Sequence, residues 1–576
     1  FSSSVSSANG QRHTEIASKN ESENLSPNES LPATTTSPVI PPTESTTTPQ
    51  TSIFAPTISF FNIDECLASL VSNGCLVATT TLTLSWDIAT TTASSTPVDY
   101  FILNLNGAVA TTTAKNLLLL VDDNKDYTFS LSAVNNNGAG ATVVKKVSVY
   151  KTPVAINEVA WMGTTASSND EWLELYNKTP FDLDLSSWKL FNASSTLNIN
   201  LSGTIKAKNY FLLERTDDTT VSDVPADLIY TGALIDSGTK LFLSLGATTI
   251  DETAVLTNNS WPAGNKTTKA TMERFDPNVL GTDSTNWRTN LGYIKTGKDA
   301  DVNLIFATPR AKNSVAYLLN KGEYYISDDI ILTKEDSPYV ILGNGAELMP
   351  GINMYVEPGV VIKFYNEQQS SRSRLNIGGN FIGEGTEDDP IIFTTLHDNE
   401  NQKILDSAFA NSTTTERMGE LDFWSGSNTL AFDHVKLKNF SGGISLFNAT
   451  SSFNNLSISD SKNGISVYGG NLSINNLSMQ DIFKDAVGVY DEGYVSMASS
   501  TIKNTKSGDV LGVYDTGANF SCDRCFFSND FSNTNNVSIY QAEASFSNSV
   551  FDNLNESPAV GLYGGNLCLD NTKILN

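Results

Sequence analysis

Positive charge is scarce in this chain: 36 Lys+Arg stand against 63 Asp+Glu, a formal net charge of −27 over 576 residues. Such a field repels phosphate backbones and anionic membrane surfaces, which argues against nucleic acid as a partner. Histidine is nearly missing, and His13, His397 and His434 are too isolated to suggest a His-based triad or metal cluster. Five cysteines are too few for a disulfide framework at this length, and the odd count leaves at least one unpaired. No apolar run approaches the ~18 residues of a membrane helix. No signal peptide is visible, but a start at Phe1 without Met leads us to expect a targeting segment or anchor upstream.

What is abundant is Ser, Thr and Asn, while charged residues make up only 17%. With the strand patterns below, that composition suits an extracellular or cell-surface protein better than a cytosolic enzyme. The length calls for several units, at ~150 residues per domain. Residues 1–53, as in SLPATTTSPVIPPTESTTTPQ, carry few large apolar side chains and read as a disordered Ser/Thr/Pro-rich linker or stalk. The LPATT of Leu31–Thr35 lacks the final Gly of a sortase signal and does not lie near the C-terminus, so it is not read as one.

From 54 to 150 short alternating strands take over. TLTLSWD puts Leu82, Leu84 and Trp86 on one face, and YTFSLSAVNNNG repeats the alternation with Tyr127, Phe129, Leu131 and Ala133. That is a small antiparallel sandwich, and Trp86 with the Y-x-F-x-L-x-A strand resembles the fibronectin type III family. Cys66 and Cys75 flank a short polar excursion, so a local disulfide and two free thiols both remain open. Asp122, Asn124 and Asp126 alternate like the opening of a calcium loop, but the turn Gly and distal Glu are missing, and a solvated turn is expected.

Residues 151–297 contain VAINEVAWMG, DEWLELYN, DLSSWKLFN, YFLLER, KLFLSL and TMER, whose order and spacing resemble the lamin tail domain, an immunoglobulin-like sandwich. Glu158, Trp172, Glu174 and Trp188 fall on that family's recurring positions. Trp172, Leu173 and Leu175 are read as sandwich core, and Glu171 and Glu174 as acidic residues on a solvated face.

The region 298–576 is organised by a repeat. GISLF, GISVY, AVGVY, VLGVY, NVSIY and AVGLY recur with aromatics at Phe447, Tyr468, Tyr490, Tyr514, Tyr540 and Tyr563. A second phrase closes on Asn439, Asp460, Asp481, Asn504, Asn529, Asn553 and Asn576. Strands of four or five residues at this period do not form ordinary hairpins, but each can pair with its copy one turn later, so a parallel β-helix is expected, with Asn/Asp at its corners bonding their own turn and the next. YVEPGVVIKF and RLNIGGNFIGEGTEDDPIIFTT resemble the opening turns of right-handed, pectin-lyase-like β-helix proteins. The fold class expected for the whole is all-β: two Ig-like β-sandwiches, then this β-helix, truncated at Asn576 where a coil has just finished without a cap.

Alternation directs Ile465 and Val467 inward and Ser466 and Tyr468 outward. Tyr468, Tyr490, Tyr514, Tyr540 and Tyr563 are therefore candidate glycan-binding residues, ring faces beside a shallow floor of Ser445, Ser466, Gly488, Gly512, Ser538 and Gly561; the other reading is that the rings only stack on one another. Asp491 and Asp515, one coil apart with Glu492 and Glu543 nearby, are the catalytic suspects, as a carboxylate pair on a glycosidic bond or as calcium ligands, with turn formation the competing role. Arg524 and Lys503 are the nearest basic groups for a lyase. Cys522 and Cys525 of FSCDRCFFSND align with inward apolar positions of sister coils and read as core filling, ahead of a disulfide and of zinc. No cofactor is expected other than calcium at those acids. The expected function is non-enzymatic adhesion or glycan binding, with a polysaccharide or cell-surface protein as partner. A polysaccharide lyase or glycosidase, and a purely structural envelope protein, stay open.

Overall fold

The structure is a computed structural model that describes residues 55–575 apart from 71–73, 90–96, 344, 367–372, 402–416, 427, 529–536 and 553–558. The linker 1–53 with LPATT and His13, and the repeat residues Asn529, Asn553 and Asn576, lie outside the described residues. The fold is all-β; no α-helix occurs among the described residues, and the helical segments there are short 3-10 turns. Among the described residues no helix is long and apolar enough to cross a membrane.

Strict alternation builds the first sandwich. In Thr81–Ile88 the side chains of Leu82, Leu84 and Trp86 are buried and those between them are not, the signature of a strand with one face on a core. This strand is the centre of a three-stranded sheet, between Ile58–Ile63 and Asn116–Leu120. The facing sheet carries Phe101, Leu103, Phe129, Leu131, Val147 and Val149 into the same core. The structure joins Cys66 to Cys75, tying the excursion before Gly74–Val77 back onto its edge. In the VDDNKD turn, Lys125 pairs with Asp122 at 2.7 Å, within the turn, and Asp123 accepts the Lys151 N–H from the start of the next segment.

The second sandwich packs a six-stranded sheet on a four-stranded one. Leu173, Leu175, Trp188, Leu190, Leu213 and Leu243 meet between the sheets. Here the structure corrects the reading of the strand Trp172–Asn177, which is buried on both faces. Trp172 points away from Leu173 and Leu175 and packs with Ala160, Leu212, Val221, Ile305 and Ala307, because residues after Asn290 fold back over the outer face. For the same reason Glu174 is buried, not solvated, and Glu171 is buried as well. Glu171 is held by Arg215 at 3.2 Å and by the Leu234 N–H at 2.7 Å.

The C-terminal part is a parallel β-solenoid running from Tyr325–Ile326 to Lys573–Ile574, with three strands per turn. Each strand pairs in parallel with its copy one turn later: Ile444↔Ile465↔Val487 and Leu446↔Val467↔Val489 lie in register and all are buried. Inward columns of this kind form one continuous apolar core from Leu319 to Phe551. Phenylalanines fill its wide sections, with Phe381, Phe423, Phe432 and Phe453 in mutual ring contact. The solenoid also meets the second sandwich directly: Ile294, Val340 and Leu396 are buried together, and the Tyr293 and Tyr365 rings lie 4.6 Å apart.

Candidate functional site: an aromatic ladder on the solenoid

The outward aromatics of the repeat form one unbroken stack. From Phe447 through Tyr468, Tyr490, Tyr514 and Tyr540 to Tyr563, successive ring centroids are 5.2, 4.9, 5.1, 5.3 and 4.4 Å apart and the rings are within 18° of parallel. Strand register imposes this, since Phe447 pairs with Tyr468, Tyr468 with Tyr490 and Tyr514 with Tyr540. At the head of the ladder stands a seventh ring the repeat phrase does not reveal. Trp424 is in register with Phe447 and stacks on it at 4.6 Å. Aligning ELDFW with GISLF is the signal that finds it.

The stack alters what these side chains offer. Every interior ring has a neighbour above and below, so its faces are covered, and only edges and hydroxyls look outward. The floor is roofed as well. A Cβ placed on Gly512 would come within 2.2 Å of the Tyr514 ring, and one on Gly488 within 2.6 Å of the Tyr490 ring, so each ring folds back over the small residue two positions earlier. Ser445 and Ser538 are buried in the same way. Open ring faces remain at the ends, where Trp424 is 44% and Tyr563 is 52% exposed. The hydroxyls sit in an acidic setting. Tyr514 donates to Asp509 Oδ2 at 2.5 Å. Burial holds Tyr490 and Tyr514 well above the usual tyrosine range, and the Asp485 and Asp509 charges push in the same direction.

Asp491 and Asp515 follow the ladder on the adjoining corner. With φ of 51° and 79° they share a left-handed column with Asn448, Gly469, Gln541 and Gly564, which is the backbone a tight corner demands and which Asn, Asp and Gly accept most readily. Their type at this position is therefore explained by the turn. Glu543 is tied to Asn519 and Asn566, each at 3.2 Å. Arg524 pairs with Asp523 on a different corner, and Lys503 lies over the Phe526 ring at 5.6 Å. Among the described residues no group of three or more His, Cys, Asp or Glu is arranged to hold a metal ion. His434 contacts Asp433 at 2.8 Å, and His397 packs edge-on to Tyr365.

The corner amides are shifted from where the repeat suggests. Asn439, Asp460 and Asp481 adopt left-handed backbone at the close of the second phrase. The side-chain ladder runs one corner earlier, where Asn476 donates to Asn455 at 2.6 Å, Asn455 to Asp433 at 2.7 Å, and Asn571 to Asn548 at 2.8 Å. Cys522 and Cys525 bring another correction. Both are buried in the core, and Cys522 is in register with Met497 and Phe546, but their sulfurs are bonded to each other. The left-handed turn at Arg524 brings two inward positions round the same corner, which places the thiols face to face.

No family model matches this chain, and no curated protein matches it. Among solved structures, it is similar to the crystal structure of a DUF4876 family protein from Bacteroides thetaiotaomicron, with 6% identity and a TM-score of 0.13. That likeness covers 25% of this chain and 62% of the other, and a likeness of this size carries no argument about function.

Proposed function

We propose that this is a modular extracellular or cell-surface protein that binds an extended polysaccharide lengthwise along the aromatic ladder of its solenoid. The observation that carries the reading is the unbroken stack from Trp424 to Tyr563, with ring edges at each turn and hydroxyls from Tyr468 onward. The rungs repeat at about the strand spacing of 4.7–4.9 Å, a step similar to the advance per sugar of an extended β-1,4-linked glycan. Successive sugars can therefore meet successive rungs, with hydroxyls bonded to tyrosine hydroxyls and C–H faces packed on the open rings at the ends. The formal charge of −27, with Asp485 and Asp509 beside the hydroxyls, selects a neutral or basic polymer over a polyuronate. The first sandwich, with its buried Trp86, is read as fibronectin type III-like and the second as a lamin tail domain, spacers that hold the solenoid outward. The Cys66–Cys75 bond fits an oxidising compartment.

The test incubates the protein with neutral, basic and acidic polysaccharides and follows both binding and product release. Saturable binding of a neutral or basic β-1,4 polymer, weakened in Tyr490→Ala/Tyr514→Ala, is expected. Unchanged affinity in that variant would sink the ladder. Release of shorter products, lost in Asp491→Asn or Asp515→Asn, would establish the lyase or glycosidase reading in its place. No binding to any polymer would leave the structural-envelope reading.

A further inference from the structure

Three glutamates stand side by side on the outer face of the second sandwich. Glu158 of Val154–Ala160 lies directly opposite Glu174 of Trp172–Asn177 on one side and Glu273 of Met272–Arg274 on the other. Directly opposed side chains have Cβ atoms about 4.5–5.5 Å apart, a distance at which like charges destabilise a sheet. All three are fully buried. Burying even one carboxylate is costly without compensating donors, and three ionised neighbours are costlier still.

What covers them is the segment 308–315, a strap that leads from this sandwich into the solenoid. Its backbone is fastened to one carboxyl after another: the Thr308 N–H donates to Glu158 Oε1 at 3.0 Å, the Arg310 N–H to Glu174 Oε2 at 2.6 Å, and the Val315 N–H to Glu273 Oε2 at 3.1 Å. The Ser314 hydroxyl donates to Glu273 Oε2 at 2.5 Å. Of the charged groups packed around the three, Arg310 favours the ionised form of Glu174, and each is also paired elsewhere. Arg310 reaches Asp227 at 2.6 Å, and Arg288, cross-strand from Glu273, reaches Glu323 at 3.6 Å. Arg274 is paired with Asp251 at 2.5 Å. Tyr210 stands near Glu174 and Glu158, and Tyr317 near Glu273; both are held neutral, first by burial and then by these carboxyls.

Hydrogen counting points to the state of the pair. Thr308 Oγ1 lies 3.1 Å from Glu158 Oε2 and 3.0 Å from Glu273 Oε1. A hydroxyl has a single hydrogen, so Thr308 donates to only one of these carboxyls at a time, and its second contact is a hydrogen bond only when that carboxyl is protonated and donates back. We infer that Glu158 and Glu273 share one proton across Thr308 at neutral pH, and that this proton fastens the strap joining the sandwich to the solenoid. Burial pushes both carboxyls upward, with the Glu273 and Glu174 charges adding to it for Glu158, and burial likewise raises Glu174, to about 8. A carboxyl raised in the folded state binds its proton more tightly than an unfolded one, near about 4.3. The stability it contributes is complete below that value and is lost as pH rises through the folded value. Beyond that point the strap loosens, and with it the seat of the solenoid on Ile294 and Tyr293.

The test is amide hydrogen exchange of the full chain, corrected for intrinsic rates, at the Thr308, Arg310 and Val315 amides. A one-proton linkage lowers protection by up to about tenfold per pH unit above the folded value, so a loss of about tenfold or more between pH 6 and 9 is expected, and flat protection overturns the inference. Glu273→Gln keeps a donor and an acceptor without the charge, so the Thr308 and Val315 amides should stay protected at pH 9 while Arg310, bonded to Glu174, still loses protection; a decline at Thr308 and Val315 as steep as that of the unaltered protein also overturns the inference. Should that variant fail to fold, infrared spectra of the unaltered protein with 13C-labelled glutamate decide. A protonated-carboxyl stretch at pH 7 that fades in step with the exchange supports the shared proton, and its absence at pH 7 refutes it.

Discussion

Cutting one ring out of the middle of the ladder measures what the stack contributes. Tyr490 lies between Tyr468 at 4.9 Å and Tyr514 at 5.1 Å, so Tyr490→Ala removes two stacked contacts. Aromatic pairs contribute about 0.5–1.5 kcal/mol each beyond area burial, giving about 1–3 kcal/mol for the two. The ring also roofs Gly488, and uncovering that strand adds about 1 kcal/mol at ~25 cal/mol per Å² of apolar surface. Tyr563→Ala loses one contact, at 4.4 Å, from a residue already 52% exposed, so about 1 kcal/mol is expected. Solenoid turns interact with their immediate neighbours, which makes the loss local. Urea unfolding followed by hydrogen exchange should show protection falling first in Ile465–Ile482 and Leu511–Tyr514 for the central variant. Equal destabilisation by the two substitutions would refute the idea that the interior rings gain their stability from two covered faces.

Three other outcomes are expected. Asp251→Asn leaves the buried Arg274 without its partner and should cost about 3–5 kcal/mol, read as a lower urea midpoint of the second sandwich. Because burial raises the folded-state values of Tyr490 and Tyr514, their contribution to stability is present below about pH 10 and is lost as pH rises through those values. Ultraviolet titration should accordingly find them un-ionised at pH 11 while exposed tyrosines absorb as tyrosinate. Thiol labelling of the native, unreduced protein should modify Cys568, which is free and exposed, and spare Cys66, Cys75, Cys522 and Cys525.

Much of the solenoid was legible because its pairing partner is a copy of itself. A phrase that recurs at a nearly constant period states its own register, and outward Tyr and inward Val or Ile follow from alternation. Trp424 escaped because its turn reads ELDFW, which keeps the apolar pattern of the phrase without its Gly or Ser. The Asn ladder escaped because both asparagines of a pair such as Asn475–Asn476 recur equally well, and only the corner geometry shows which one bonds its neighbour. The disulfide of Cys522 and Cys525 likewise depends on how sharply the chain turns at Arg524.

In the second sandwich, alternation identified strands but not how many of their faces were covered. A glutamate between apolar residues reads as solvated, and Glu174 is buried because residues far along the chain lie over it. Period and polarity act between near neighbours in sequence, so the sequence by itself determined strand type, turn chemistry and the self-pairing of the solenoid. Which ring faces stay open, which carboxyls share a proton and how the solenoid is seated on the sandwich were decided by the tertiary structure alone, since each depends on groups that meet only when distant segments pack and exclude water.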